Sequence, residues 1–215
     1  MKKENRKNAV VAVCMIFTFI LWTAAIQLFD VKAIGPEKSL VGFAALNGAF
    51  HNFTGVHMSL YTITDLLGII PLIIVLCFGA FGLFQWIKRK SIKRVDYSII
   101  VLGIFYVVVM AVYIFFEVYV VNYRPILIEG RLEASYPSST TTLAMCVMPT
   151  ALMQLNRRIK NTSLRRTVCF FVVLFTAFMV IGRLISGVHW LSDIIGGALL
   201  STGLVFSYRY FANLR

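Results

Sequence analysis

Six long apolar runs divide the chain and decide what it can become. They span approximately Ala9–Phe29, Leu66–Ile87, Tyr97–Val121, Ser139–Leu155, Thr167–Ile185 and Val188–Tyr208. About 20 mostly apolar residues in a helix cross the hydrocarbon core of a bilayer. The expectation is therefore an all-α polytopic membrane protein, a six-transmembrane-helix bundle forming one domain over residues 1–215. The fourth run is the least apolar, with Thr140–Thr142 and Pro149 inside it. Proline is tolerated there if neighbouring helices or hydroxyl side chains satisfy the freed carbonyl.

Composition agrees. The chain is 59% hydrophobic and 14% charged, with a mean hydropathy of +0.82. A soluble domain carries about 25% charged residues. A net charge of +12 raises the question of nucleic acid. That function needs basic residues gathered on one folded face. Here they stand in short clusters between apolar runs, so no nucleic-acid partner is expected. Cys14, Cys77, Cys146 and Cys169 each fall inside an apolar run with no metal-type pair, and are read as packing residues. The basic MKKENRKN start followed by an apolar run has the look of a secretory signal. The run is too long for a typical cleaved segment and is read as a retained first helix.

Charge sets the orientation. Lys2, Lys3, Arg6 and Lys7 precede the first run, and Lys88, Arg89, Lys90, Lys93 and Arg94 follow the second. Arg157, Arg158, Lys160, Arg165 and Arg166 follow the fourth, and Arg209 and Arg215 the sixth. With alternating helices, 16 of the 21 basic residues share one side. The positive-inside rule then places both termini in the cytoplasm, in a plasma-membrane protein. The other side holds Lys32, Lys38, Arg124, Arg131 and Arg183, seven of the nine acidic residues and all three histidines. Ionisable residues at membrane depth are costly and mark function. Chemistry is thus expected on the outer face. Between the first two runs, GFAALNGAFHNF is read as a short amphipathic helix lying in the interface.

Three stretches stand at the outer ends of the third to sixth runs: NYRP with Arg124, YPSSTT with Ser138, Ser139 and Thr140, and GRLISGVHWLSD with Arg183, His189 and Asp193. His189 and Asp193 are four apart and share one helix face. A carboxylate beside an imidazole fixes its tautomer, and a neutral histidine can attack phosphorus. Arg124 and Arg183 can each grip phosphoryl oxygens in bidentate fashion. Pro137-Ser138-Ser139 opens a helix, whose free N–H groups bind anions. Singly, each feature is ordinary: an interfacial histidine, a headgroup anchor, a helix start. Together, in order and on one side, they describe a phosphate site.

This order, R-P, then P-S, then G-R-x5-H-x3-D, resembles the type 2 phosphatidic acid phosphatase superfamily, related to the vanadium haloperoxidases. The resemblance covers about Glu117 to Asp193. It implies an outward-facing lipid phosphatase in which His189 is the nucleophile and Asp193 its orienting carboxylate. Arg124 and Arg183 become phosphate ligands, with Ser138, Ser139 and Thr140 in the cradle. Expected substrates are phosphatidate, phosphatidylglycerophosphate or a polyprenyl diphosphate. No metal or other cofactor is expected. Three positions depart from the family pattern: Glu117 stands in place of a lysine, Thr140 in place of the histidine that protonates the leaving group, and Gly182 in place of a serine. An alternative acid is then Glu117, His51 or His57. The rival reading is a catalytically silent relative that binds or moves a phosphorylated lipid.

The orientation is testable in intact cells. A cysteine introduced at Leu127 should react with an impermeant thiol reagent from outside, and one at Asn161 should not. Labelling of Asn161 alone would invert the topology.

Overall fold

In the computed structural model, which describes residues 2–214, eight α-helices follow one another: α1 (Lys2–Leu28), α2 (Ala44–Thr54), α3 (Met58–Leu67), α4 (Ile69–Arg89), α5 (Tyr97–Val118), α6 (Ser139–Asn156), α7 (Thr162–Ile185) and α8 (Leu191–Ala212). Arg215, counted above with the basic side, lies outside the described residues. Among the described residues there is no β-strand, only isolated bridges such as Tyr123 with Ala134. Five helical stretches are long and apolar enough to cross a membrane: Lys3–Leu28, Met58–Arg89, Tyr97–Val118, Thr162–Ile185 and Leu191–Ala212. The protein is an integral membrane protein of all-α architecture.

The apolar residues are distributed as lipid demands. Phe17, Leu76, Val107, Phe170 and Phe171 point outward from α1, α4, α5 and α7. So large an exposed apolar surface marks contact with lipid or with another protein. The interior is built around α8. Leu200, Leu204 and Tyr208 pack with Phe19 and Ile26 of α1, Leu102 and Phe105 of α5 and Cys146 of α6. Tyr136 seals one end of this core, stacked on Phe19 with ring centres 6.1 Å apart and hydrogen-bonded to Thr23 Oγ1 at 2.7 Å.

Three expectations are revised. The second run begins earlier than Leu66, because α3 leads into α4 through a break at Gly68, so Met58–Arg89 forms one long apolar stretch. The fourth run folds as α6, but it is not apolar enough to qualify as a span by composition. Its polar side chains are buried instead: Thr141, Thr142, Thr150 and Gln154 face α8 and α5 rather than lipid. Of the cysteines, only Cys146 is buried packing; Cys14 and Cys77 lie on the exposed faces of their helices, and all four are free thiols. The GFAALNGAFHNF stretch does form a helix, α2, with Asn47 as its buried anchor.

One turn fixes the end of the bundle where α7 passes into α8. Between α7 and α8 the chain reverses through Gly187, whose φ of +70° suits glycine. A Cβ there would stand 2.0 Å from the Gly55 carbonyl oxygen in the α2–α3 link. The link is held to the same turn by the His57 N–H, which donates to the Ser186 carbonyl at 3.0 Å. Gly187→Ala should therefore cost about 1–3 kcal/mol, from the strained φ and the clash. A melting curve of the detergent-solubilised variant that overlays the wild type would show that this close approach is dispensable.

Candidate phosphate site

Sequence-distant elements meet at one end of the bundle, where α3, the C-terminal ends of α5 and α7 and the N-terminal ends of α6 and α8 come together. The node is Asp193, fully buried in the first turn of α8. Its Oδ2 accepts the Trp190 N–H at 2.9 Å, and its Oδ1 accepts from Asn122 Nδ2 at 3.1 Å. Its backbone carbonyl accepts the Ser138 N–H at 3.2 Å, which docks the start of α6 against α8. Ser192 extends the node: its Oγ accepts from Asn47 Nδ2 at 2.9 Å, and Asn47 Oδ1 accepts the Ser192 N–H at 3.1 Å.

His189 sits on the turn just before α8 and is buried. Its Nδ1 lies 3.1 Å from the Ser135 carbonyl and 3.8 Å from Asp193 Oδ2. The carbonyl can only accept, so Nδ1 carries the hydrogen, and Nε2 keeps its lone pair. That lone pair faces Arg124 Nη1 at 3.4 Å. The immediate orienting group is thus a backbone carbonyl, with the Asp193 carboxyl just behind it. Burial holds the imidazole pKa well below its ordinary value, and the cations of Arg124 and Arg183 lower it further. His189 is neutral at physiological pH.

The two arginines are positioned separately. Arg124 donates its backbone N–H to the Glu133 carbonyl at 3.0 Å, and its Nε stands 3.0 Å from Glu133 Oε2 as an ion pair, off the line of a hydrogen bond. Arg183, almost wholly buried, is gripped by α3. Its Nη1 donates to Thr64 Oγ1 at 3.3 Å and to the Tyr61 carbonyl at 3.4 Å, and its Nη2 pairs with Asp65 Oδ1 at 3.4 Å. The guanidinium also lies 4.6 Å from the centre of the Tyr61 ring. Gly182 makes this grip possible, since a Cβ there would meet Thr64 Cγ2 at 2.9 Å. A serine at that position would push α3 away from Arg183.

Two adjoining cavities open here. A polar one of about 600 Å³ is walled by Arg124, Arg183, Asp65, Glu117, Glu133 and three tyrosines, with Ser139 and Thr140 at its edge. An apolar one of about 400 Å³ runs inward between α4, α5 and α6 and reaches His189. Asp65, Tyr113, Glu117, Ser139 and Thr140 line both. Helix α6 presents its first-turn N–H groups to this junction, where a helix leaves them without intrahelical partners. Ser138 plays a different part from its neighbours: its buried Oγ accepts the Thr141 N–H at 3.5 Å as the helix cap.

Of the residues singled out in the sequence, Glu117, Arg124, Ser139, Thr140, Arg183 and His189 gather around the cavities. His51 and His57 line neither. The His51 ring tilts against Trp190 at 5.5 Å, and His57 Nε2 bonds the Thr54 carbonyl at 2.9 Å. The sequence did not single out Tyr61, Thr64, Asn122, Glu133 or Ser135. Asn122 opens the NYRP stretch and Ser135 immediately precedes YPSSTT, whereas Thr64 and Tyr61 lie on a helix that hydropathy alone did not separate.

Comparison with known proteins follows the geometry. Residues 119–215 match the PAP2 superfamily model. The whole fold is similar to the crystal structure of a transmembrane PAP2-type phosphatidylglycerolphosphate phosphatase from Bacillus subtilis. That match has a TM-score of 0.64 at 17% identity and covers 95% of this chain and 98% of the other. No curated protein matches the sequence.

The depressed pKa of His189 makes a stability prediction. An unfolded histidine titrates near 6.5. Below that pH the unfolded chain binds a proton that the folded one refuses, so His189 lowers stability as the medium is acidified, by up to about 1.4 kcal/mol per pH unit. Melting of wild type should fall on acidification through this range, and His189→Gln should flatten the fall. Parallel slopes for the two proteins would contradict a buried neutral imidazole.

Proposed function

We propose that this chain, which belongs to the type 2 phosphatidic acid phosphatase superfamily, is a membrane lipid phosphatase that works through a phosphohistidine at His189. The observation that carries this reading is the unprotonated Nε2 of a neutral histidine, within hydrogen-bond reach of Arg124 Nη1 at 3.4 Å, on the wall of an apolar cavity that adjoins a polar one. The polar cavity suits a phosphoryl group and the apolar one the start of a lipid chain. A second apolar groove of about 500 Å³ along α4 and α5 shares Val75, Tyr106 and Met110 with the first and extends the path for a chain.

In the proposed reaction, Nε2 attacks phosphorus and the P–O bond to the leaving group breaks. The Nδ1–H bond to Ser135 holds the ring as the attack makes it cationic, and Asp193 stabilises that cation from behind. Arg124, Arg183 and the N–H groups of Ser139 and Thr140 hold the phosphoryl oxygens. Water then cleaves the P–N bond and restores His189. Thr140 cannot protonate the leaving group, which leaves Glu117, at the junction of both cavities, as the acid. The same reading makes α6 the sixth span, shielded from lipid by its neighbours, with both termini cytoplasmic and the site outside. The rival, a silent relative that binds or moves a phosphorylated lipid, is favoured by one feature: Thr140 in the place of an acid.

Purified protein supplied with a panel of phosphorylated lipids should consume at least one. His189→Ala should abolish that turnover, and Asp193→Asn should lower it by about 10²-fold or more through the loosened imidazole. Wild-type turnover persisting in His189→Ala would eliminate the phosphohistidine, and binding without turnover by wild type would favour the silent relative.

A further inference from the structure

The apolar cavity beside His189 does not end at Val75, Tyr106 and Met110. These three residues also line the groove along α4 and α5, so the two spaces are continuous. Glu117 lines the near end of the joined path and Ile99 the far end. On α5 those residues lie about 27 Å apart, at a helical rise of about 1.5 Å per residue. The hydrocarbon core of a bilayer is about 30 Å thick, so a chain kept to one leaflet reaches only about 15 Å. A path this long passes from the leaflet nearer the site into the far one.

At its far end the groove is clasped. Gln85 Nε2 of α4 donates to Asp96 Oδ2 at 2.8 Å, and the Asp96 N–H donates back to Gln85 Oε1 at 2.9 Å. Between this clasp and the site, the walls include Gly79, Gly82 and Gly103. Packing accounts for Gly82, where a Cβ would stand 3.1 Å from Ile99 Cγ2. It does not account for Gly79 or Gly103, where an added Cβ would meet no neighbouring group within 4 Å. Neither has a positive φ. Glycine in a helix interior costs about 1 kcal/mol against alanine. With no turn and no close approach to require them, what these two glycines provide is room in the groove.

Resting on the reading of His189 and its cavities as a lipid phosphatase site, we propose that the α4–α5 groove is a chain subsite. It takes the distal part of a single substrate chain longer than one leaflet, and Gly79 and Gly103 set the length that is accepted. Continuity with the cavity at His189 makes the occupant the substrate's own chain rather than a bystander lipid. The chains of a diacyl lipid, matched to one leaflet, would stop short of it.

Farnesyl diphosphate and undecaprenyl diphosphate carry one headgroup on a short and a long chain, so the arginines and acids of the polar cavity treat them alike. The full chain in nonionic detergent would be given each, with phosphate release and lipid retained in native mass spectrometry as separate readouts. Wild type should favour the long chain. Gly79→Leu and Gly103→Leu, made separately, should each lower kcat/KM and retention of the long chain by about tenfold, the lower end of what one misfit methylene costs in an apolar pocket, and leave the short chain within about twofold. Leucine is the better helix former and has space at both positions, so the fold should survive. Ile104→Phe, on an exposed face of α5 that does not line the groove, should change neither lipid. Long-chain values unmoved by either leucine, equal losses for both chains, or retention of neither lipid would overturn the subsite. Retention that follows chain length and falls with leucine, but without phosphate release, leaves the subsite standing and removes the phosphatase reading. Phosphate released from both lipids at rates indifferent to leucine does the reverse.

Discussion

A buried carboxyl has few ways to exist, and Asp193 uses nearly all of them. It stands in the first turn of α8, where the helix dipole favours an acid. It accepts from the Trp190 N–H and from Asn122, while its own carbonyl takes the Ser138 N–H. Removing one partner from such a group costs several kcal/mol, because the acid is then left unmet in the interior. The α7–α8 turn, the 119–138 loop and the start of α6 are therefore constrained to one another. His189 belongs to that turn, and Ser135, which orients it, belongs to that loop. The geometry of His189 is thus a by-product of satisfying one acid.

The rest of the bundle transmits this constraint. Ser192, next along α8, binds Asn47 of α2, and the Ser192 carbonyl accepts from Trp22 Nε1 of α1 at 3.1 Å. Helix α8 is the most buried of the long helices and touches α1, α2, α5, α6 and α7. In a membrane there is little hydrophobic gain in packing helix on helix, so close approach and internal hydrogen bonds must hold the bundle. The small residues of α8 supply the first. Gly196 lies so close to the Tyr136 ring that a Cβ would stand 2.3 Å from it. The polar node at its N-terminal end supplies the second.

What the sequence made legible follows from the range of each interaction. Hydropathy is local, and it located the apolar lengths of the long helices while missing the polar first turns of α1 and α7, which begin at Lys2 and Thr162. It failed at α3, because an apolar run does not record the break at Gly68 between two helices of similar composition. It overstated α6, whose threonines are hidden by partners that only the fold supplies. The candidate site was legible where chemistry is concentrated in short stretches, at Arg124, Arg183, His189 and Asp193. It was illegible where a partner is remote. Nothing near Arg183 announces Thr64 or Asp65, 118 residues earlier. Ser135 acts through a backbone carbonyl that any residue would have provided. Ser138 kept its place in the motif and spends its hydroxyl on the helix cap.

Burying Arg124 and Arg183 at the rim of a membrane protein has a consequence for any ligand. An isolated cation there would be expensive, so the fold neutralises each with a more exposed carboxyl. Those ion pairs allow the arginines to be rigid and dry, which is what a phosphoryl group under attack requires of its donors. They also mean that a phosphoryl group bound there, as proposed, would have to take over contacts already made by Asp65 and Glu133. The net gain on binding is the difference between two anions, and it depends on where the displaced carboxyls go. With Glu117 close by, they cannot simply crowd together. Selectivity in this site is thus governed less by attraction to the arginines than by what the ligand offers to the acids it displaces.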